Sequence, residues 1–467
     1  MRNNASLVST SARREEQAAD SWGREEKCYW SPKVRSYQKP GFTGISPLNA
    51  MQIAATCLAN LISSRKSLAL DLPPSCIEFC PASPQHFVVG TYNLQKEEAP
   101  AENGNAGSHD DADADATQVA TRQGQNRNGS LIIFQLDHDN DEVRHVQTVQ
   151  QPSAILDLHF HPQKDKSDIL AVVSSTGTLS FFKLDVSHGD ASATLAELAT
   201  HQPLGGDGNI LFLSCCWHPV LPDLISVTTS TFEVHVFRTD GAWNIFEASE
   251  EPVLAHTLEA WTVAFSPALY EVTDQKLFTV YSGGDDSMLL QAACNIQADS
   301  LHIEAVTSVI KTKGHGAGVT AILPLDITFE NKSRVVLTGS YDDHFRVYAA
   351  HESGPETLAM RAQLLKESNL DGGVWRLRLV SLTRQSERWE AIVLASCMHA
   401  GSRVVKITGS SKMEECTVEV VARFEEHKSM NYGSDFQPGS EIPGGDLKIV
   451  STSFYDKLLC FWVVPNA

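Results

Sequence analysis

The side chains equipped for chemistry lie in short, turn-like stretches. GSYDDHFRVY holds Asp342, Asp343 and His344, and YSGGDDSMLL holds Asp285 and Asp286. ASCMHAGS carries Cys397 and His399, and EEHKSMNYG carries His427, Ser429 and Tyr432. HTLEAWTVAF adds Glu259 and Trp261, and SNLDGGVW adds Asp371, Gly372, Gly373 and Trp375. Carboxylates beside imidazoles are the material of general acid–base chemistry. They also build tight turns, because a short polar side chain bonds its own backbone there. Which role they serve depends on whether the pattern recurs.

The elements around them are short strands. Several end alike: GSLIIFQLD, GTLSFFKLD, TFEVHVFRTD, DDHFRVYAA and DKLLCFWVV. Apolar strands closing on proline precede some of them (CIEFCP, LHFHP, CCWHP, VAFSP), and Pro162, Pro219 and Pro267 stand 57 and 48 residues apart. Strands and turns at such a period are the signature of a WD-type propeller, about 40–45 residues per blade, here with longer loops. Seven units start near residues 68, 145, 195, 253, 315, 363 and 416. The last run, LLCFWVV, reads as a third strand without a fourth, and SLALDL at 67–72 is placed to supply it. The expected fold is one all-β, seven-bladed propeller over 51–467, closed by an N-terminal strand with no open edge. Residues 1–50 read as a disordered extension, and the acidic, low-complexity run at 96–128 as a solvated loop in blade one.

Within this frame Asp286, Asp342 and Asp456 recur in the turn between the second and third strands. They read as turn-holding residues partnered by His256, His315 and His427. Other residues are not required by the repeat. Asp285 and Asp343 flank the recurrent Asp, His344 stands where Thr or Ser is usual, and His399 takes the turn position that other blades give to Asp. The Asp371 loop has two glycines and no histidine. The turns between second and third strands and the loops that join one blade's outermost strand to the next blade emerge on one face around the channel mouth, so these departures converge in space, as expected of a site grafted on a fold.

Composition narrows the function. With 37 Lys and Arg against 57 Asp and Glu, the formal charge of −20 argues against phosphate-backbone binding as the main activity. The ten cysteines form no CxxC pair, so no metal site is expected. The N-terminal SARREEQAADSWGREEK lacks the apolar core of a signal peptide, and MQIAATCLANLIS is too short and polar to span a bilayer. A cytoplasmic, monomeric protein without membrane or nucleic-acid partners is expected. No GxSxG, P-loop, HExxH or GxGxxG motif is present.

The runs YSGGDDSMLL, HTLEAWTVAF, LTGSYDDHFRVY, DGGVWRLR, ASCMHAG, EEHKSMNYGSDF and STSFYDKLLCFW resemble the WD-repeat diphthine methylesterase family of diphthamide biosynthesis. LPPSCIEFCPASPQHFVVGTYNLQ fits that family's first blade, and the resemblance covers roughly 68–464. It implies hydrolysis, without a cofactor, of the methyl ester on a modified histidine of translation elongation factor 2. The substrate carries a trimethylammonium group, which an acidic, aromatic mouth of Glu259, Asp285, Asp343, Asp371, Trp261, Trp375 and Tyr432 would suit. Under that reading His399 is the first choice of base, with His344 and His427 as alternatives. Ser429 and Cys397 are candidate nucleophiles, and the N–H groups of Gly372 and Gly373 candidate oxyanion donors. The competing reading is a non-catalytic adaptor in a ubiquitin-ligase or ribosome-associated assembly.

Overall fold

A computed structural model describes residues 61–94 and 127–465, except for short stretches at 138–139, 187–191, 207–208, 248, 250, 273–274, 298–301, 306–308, 355–359, 414 and 442–443. The expectations for residues 1–50 and for most of the 96–128 run lie outside these residues. The described secondary structure is entirely β, in seven sheets that are antiparallel except for one short added strand. The blades span 74–151, 155–201, 212–255, 260–312, 319–369, 376–424 and 433–464. Each starting point read from the sequence falls on or close to the outermost strand of the preceding blade, so the sequence unit is offset by one strand from the structural blade. In each blade the first strand (a) lines the central channel and the last (d) faces outward.

Position in the blade dictates residue type. The inner strands of blade 5, Arg334–Ser340 and His344–His351, are buried almost throughout, because neighbouring blades cover both faces. The outer strand Met360–Asn369 has no fully buried residue and reads MRAQLLKESN. The largest apolar cluster lies between blades 5 and 6, around Leu337, Phe345, Val347, Val393 and Val405, all essentially inaccessible.

Closure follows the expected route. Ser64–Ala69 runs antiparallel to Leu458–Val464, pairing Ser67 with Cys460, and so completes blade 7. Just before it, Leu61–Ile62 lies parallel to the outer strand of blade 6. One N-terminal segment thus covers the edges of two adjacent blades. Across the seam Phe79 and Phe87 of blade 1 pack with Leu459 and Phe461 of blade 7.

Candidate functional site at the channel mouth

A recurrent irregularity builds the mouth. In blades 1 to 5 the pairing of strand a with strand b skips one residue: Ser75, Leu156, Leu213, Trp261 and Thr320. In blades 6 and 7 the residue just before strand a, Trp375 or Tyr432, holds the same place. An extra residue opposite one partner leaves the ladder and re-aims its side chain. Three of these seven positions are aromatic, and they cluster. The Trp261 and Trp375 ring centroids lie 5.6 Å apart, and those of Trp375 and Tyr432 5.0 Å. Turn residues complete the belt. Tyr341 lies 6.3 Å from Trp261 and 5.7 Å from Trp375, Phe454 lies 5.4 Å from Tyr432, and Tyr92 lies 6.1 Å from Phe454. All but Tyr92 are partly exposed. Asn431 positions Tyr432: it is fully buried, donates to the carbonyls of Gly433 and Thr452 at 3.0 and 2.7 Å, and accepts from Ser402 at 3.1 Å.

Carboxylates border this belt. The indole N–H of Trp261 donates to Asp285 Oδ1 at 3.4 Å, and the Asp285 N–H donates to the Glu259 carbonyl at 2.8 Å. Asp285 and Tyr341 crowd Gly318, where a Cβ would lie 2.7 Å from Asp285 Oδ1 and 3.0 Å from Tyr341 Cδ2. Glu259 is buried. Asp343 sits in the left-handed region (φ 65°), as does Ser287 at the same turn position in blade 4 (φ 62°), so its backbone serves the turn. Asp371, also left-handed, faces Arg423 and Arg403 at 3.5 and 3.6 Å. Gly372 and Gly373 are buried, and a Cβ at Gly372 would meet the Cys397 carbonyl at 2.4 Å, while one at Gly373 would meet the flexible Met398 Sδ at 2.6 Å. The N–H groups of these two glycines meet no acceptor among the described residues.

Counted from the pairs Gly283↔Leu289, Gly339↔Phe345 and Ser396↔Ser402, His399 stands where Asp286 and Asp342 stand. It is exposed and makes no hydrogen bond among the described residues. His344 is half-buried and donates from Nδ1 to the Asp342 carbonyl at 2.6 Å, which leaves Nε2 as the acceptor. Burial works against ionisation of Asp342, yet bonds from Arg346 and the Gly316 N–H hold its carboxyl at about 2.

His427 is fixed inside blade 7. Its Nε2 shares a 2.8 Å bond with Ser451 Oγ, which also accepts from Trp462 Nε1 at 3.0 Å, and burial lowers its pKa to about 4. Of the three expected His–Asp pairs only His256–Asp286 forms, at 2.9 Å. In blades 5 and 7 the Asp takes the N–H of Gly316 or Lys428 instead, and His315 and His427 bond a Thr or Ser hydroxyl. Ser429 Oγ accepts from the Tyr455 N–H at 2.8 Å, and no imidazole adjoins it among the described residues. Cys397 is wholly buried in the core between blades 5 and 6. Burial pushes its thiol up to about 12, which leaves almost no thiolate to act as nucleophile.

Below the mouth runs a charged layer that the sequence reading did not single out. Arg376 pairs with Asp157 at 2.9 Å, Arg378 with Glu78 and Asp435 at 3.2 Å each, and His159 with Glu78 at 2.7 Å and Asp157 at 3.5 Å. All six belong to strand a of blades 1, 2, 6 and 7. Burial opposes a charge on His159, but Asp157 and Glu78 raise its pKa to about 9, so it is an imidazolium at neutral pH. Burial pushes Asp435 up to about 6 despite Arg378. The signal was present in ILDLHF and RLRL, where charges alternate within strands that should be apolar. No group of His, Cys, Asp and Glu able to hold a metal occurs among the described residues.

Comparison with known proteins gives three curated relatives. The diphthine methyltransferase homolog of Dictyostelium discoideum is 25% identical over 415 residues, which covers 84% of this chain and 97% of that protein. The diphthine methyltransferases of Schizosaccharomyces pombe and Saccharomyces cerevisiae are each 25% identical, over 72% of this chain and 86% and 89% of their own lengths. No family model matches. Among solved structures, Sqt1 of Chaetomium thermophilum superposes with a TM-score of 0.50 at 12% identity, over 84% of this chain and 83% of that one, a likeness of WD-repeat fold alone. The chain is a WD-repeat propeller homologous to the proteins named diphthine methyltransferase.

Proposed function

We propose that this protein hydrolyses the methyl ester of methylated diphthine, the modified histidine of translation elongation factor 2, in the cytoplasm and as a monomer. The aromatic belt of Trp261, Tyr341, Trp375 and Tyr432 beside Asp285 carries the reading. A quaternary ammonium cannot donate a hydrogen bond, so aromatic faces and nearby carboxylates are the groups that recognise it. An aromatic face contributes ~0.5–2 kcal/mol. Exposed Tyr455 and Leu258 flank the mouth and suit a protein-borne substrate.

In the reaction, water adds to the ester carbonyl carbon and gives a proton to the base. The carbon–methoxy bond then breaks, and methanol leaves with a proton. His399 is the first choice of base, with His344 Nε2 as the alternative. The unclaimed N–H groups of Gly372 and Gly373 suit the developing oxyanion. With Cys397 protonated and Ser429 lacking an adjacent base, direct attack by water is favoured over a covalent intermediate.

The test incubates the purified protein with elongation factor 2 carrying methylated diphthine and follows the modified peptide by mass spectrometry. Protein-dependent loss of the ester methyl, abolished by Asp285→Asn with His399→Ala, is expected. Confirmed substrate with no loss of methyl would replace the esterase by the adaptor.

A further inference from the structure

The charges below the mouth are unevenly presented. Asp157, Asp435 and Glu78 keep only 2%, 3% and 6% of their side-chain surface exposed, whereas Arg376, His159 and Arg378 keep 22%, 32% and 39%. The carboxylates are recessed in the walls, and the cations face the lumen. Arg376 makes one ion pair, to Asp157, and its remaining N–H groups meet no acceptor among the described residues. It directly follows Trp375, so the guanidinium row begins one residue, ~3.3 Å along the strand, below the aromatic belt.

We propose that Arg376, supported by Arg378 and His159, forms a carboxylate subsite beneath the belt, so that together they bind a quaternary-ammonium carboxylate, in which cation and acid are separated by a single carbon. The ligand class rests on the esterase reading, whose hydrolysis product is such an acid. The belt takes the cation, and the guanidinium takes the carboxylate through charge-assisted hydrogen bonds. The ester group, unlike the carboxylate, presents no negative charge to the guanidinium, so the channel favours product over substrate.

Binding is read by quenching of Trp261 and Trp375 fluorescence with two probes, glycine betaine and its amide, which keeps the quaternary cation but carries an uncharged carboxamide in place of the carboxylate. The wild-type protein should bind the acid at least ~10-fold more tightly than the amide, the difference a hydrogen bond to a charged group provides. Trp375→Ala should weaken both. Arg376→Gln should remove the preference and spare amide binding. Because that variant strands the Asp157 carboxylate, the Asp157→Asn/Arg376→Gln pair, which removes both charges, is measured beside it. Equal affinities in the wild-type protein, no saturable response to either probe, or a preference that survives in the double variant would overturn the subsite. Methyl release is a separate readout: acid preference without turnover keeps the subsite and removes the esterase.

Discussion

At the scale of single residues, the mouth divides into groups the fold needs and groups it does not. Asp342 and His427 hold turns and strands, and Asp343 occupies a backbone position that Ser287 fills elsewhere. His399 takes the same turn position as Asp286 and Asp342, yet carries none of their hydrogen bonds. Replacing it with Ala should leave the melting temperature nearly unchanged, as surface substitutions do, and lower turnover ~100-fold or more if it is the base. A loss of stability with unchanged kcat would return His399 to the turn. Trp375→Ala should raise KM for the modified peptide by ~2–30-fold, the range of one cation–aromatic contact, with a smaller change in kcat. Asp285 was legible because it flanks the recurrent Asp, whereas Trp261, Trp375 and Tyr432 came through the family resemblance and the quaternary cation it implies. The sequence did not show Tyr341, Phe454 or Tyr92, ordinary-looking turn aromatics whose meeting depends on blades distant in sequence.

At the scale of elements, the blade is held by networks between its strands. Ser451 Oγ joins His427 to Trp462, both buried, and removing it leaves two polar groups without their partner. Ser451→Ala should cost ~1–3 kcal/mol in urea unfolding while leaving probe affinity unchanged. His315 and His427 are held near 4 by burial, whereas an unfolded histidine titrates near 6.5. Between these values the unfolded chain binds more protons, so stability present above pH 6.5 is lost as pH falls toward 4. His159 has the opposite sign: its contribution is full below 6.5 and is lost as pH rises through about 9. Melting curves across pH should thus show an acid limb reduced in His427→Gln and an alkaline limb reduced in His159→Gln. Strand types and blade number were legible because burial on two faces writes apolar runs between turn residues. The bulge that aims Trp261 was not, since one extra residue barely disturbs a strand pattern.

At the scale of the whole molecule, closure was legible from an incomplete last blade and a spare strand-like segment near the start. Ser67 and Cys460 sit 393 residues apart in the chain and side by side in the sheet. Deleting residues 61–69 should expose the edges of blades 6 and 7, lower the unfolding midpoint and yield soluble aggregates on size exclusion. An unchanged midpoint would mean that blade 7 is stable with three strands. The seam also carries part of the site: Tyr92 of blade 1 reaches the belt through Phe454 of blade 7. During synthesis the first blade leaves the ribosome long before its neighbour across the seam exists. The nascent chain therefore has no complete belt until blade 7, with Tyr432 and Phe454, has emerged.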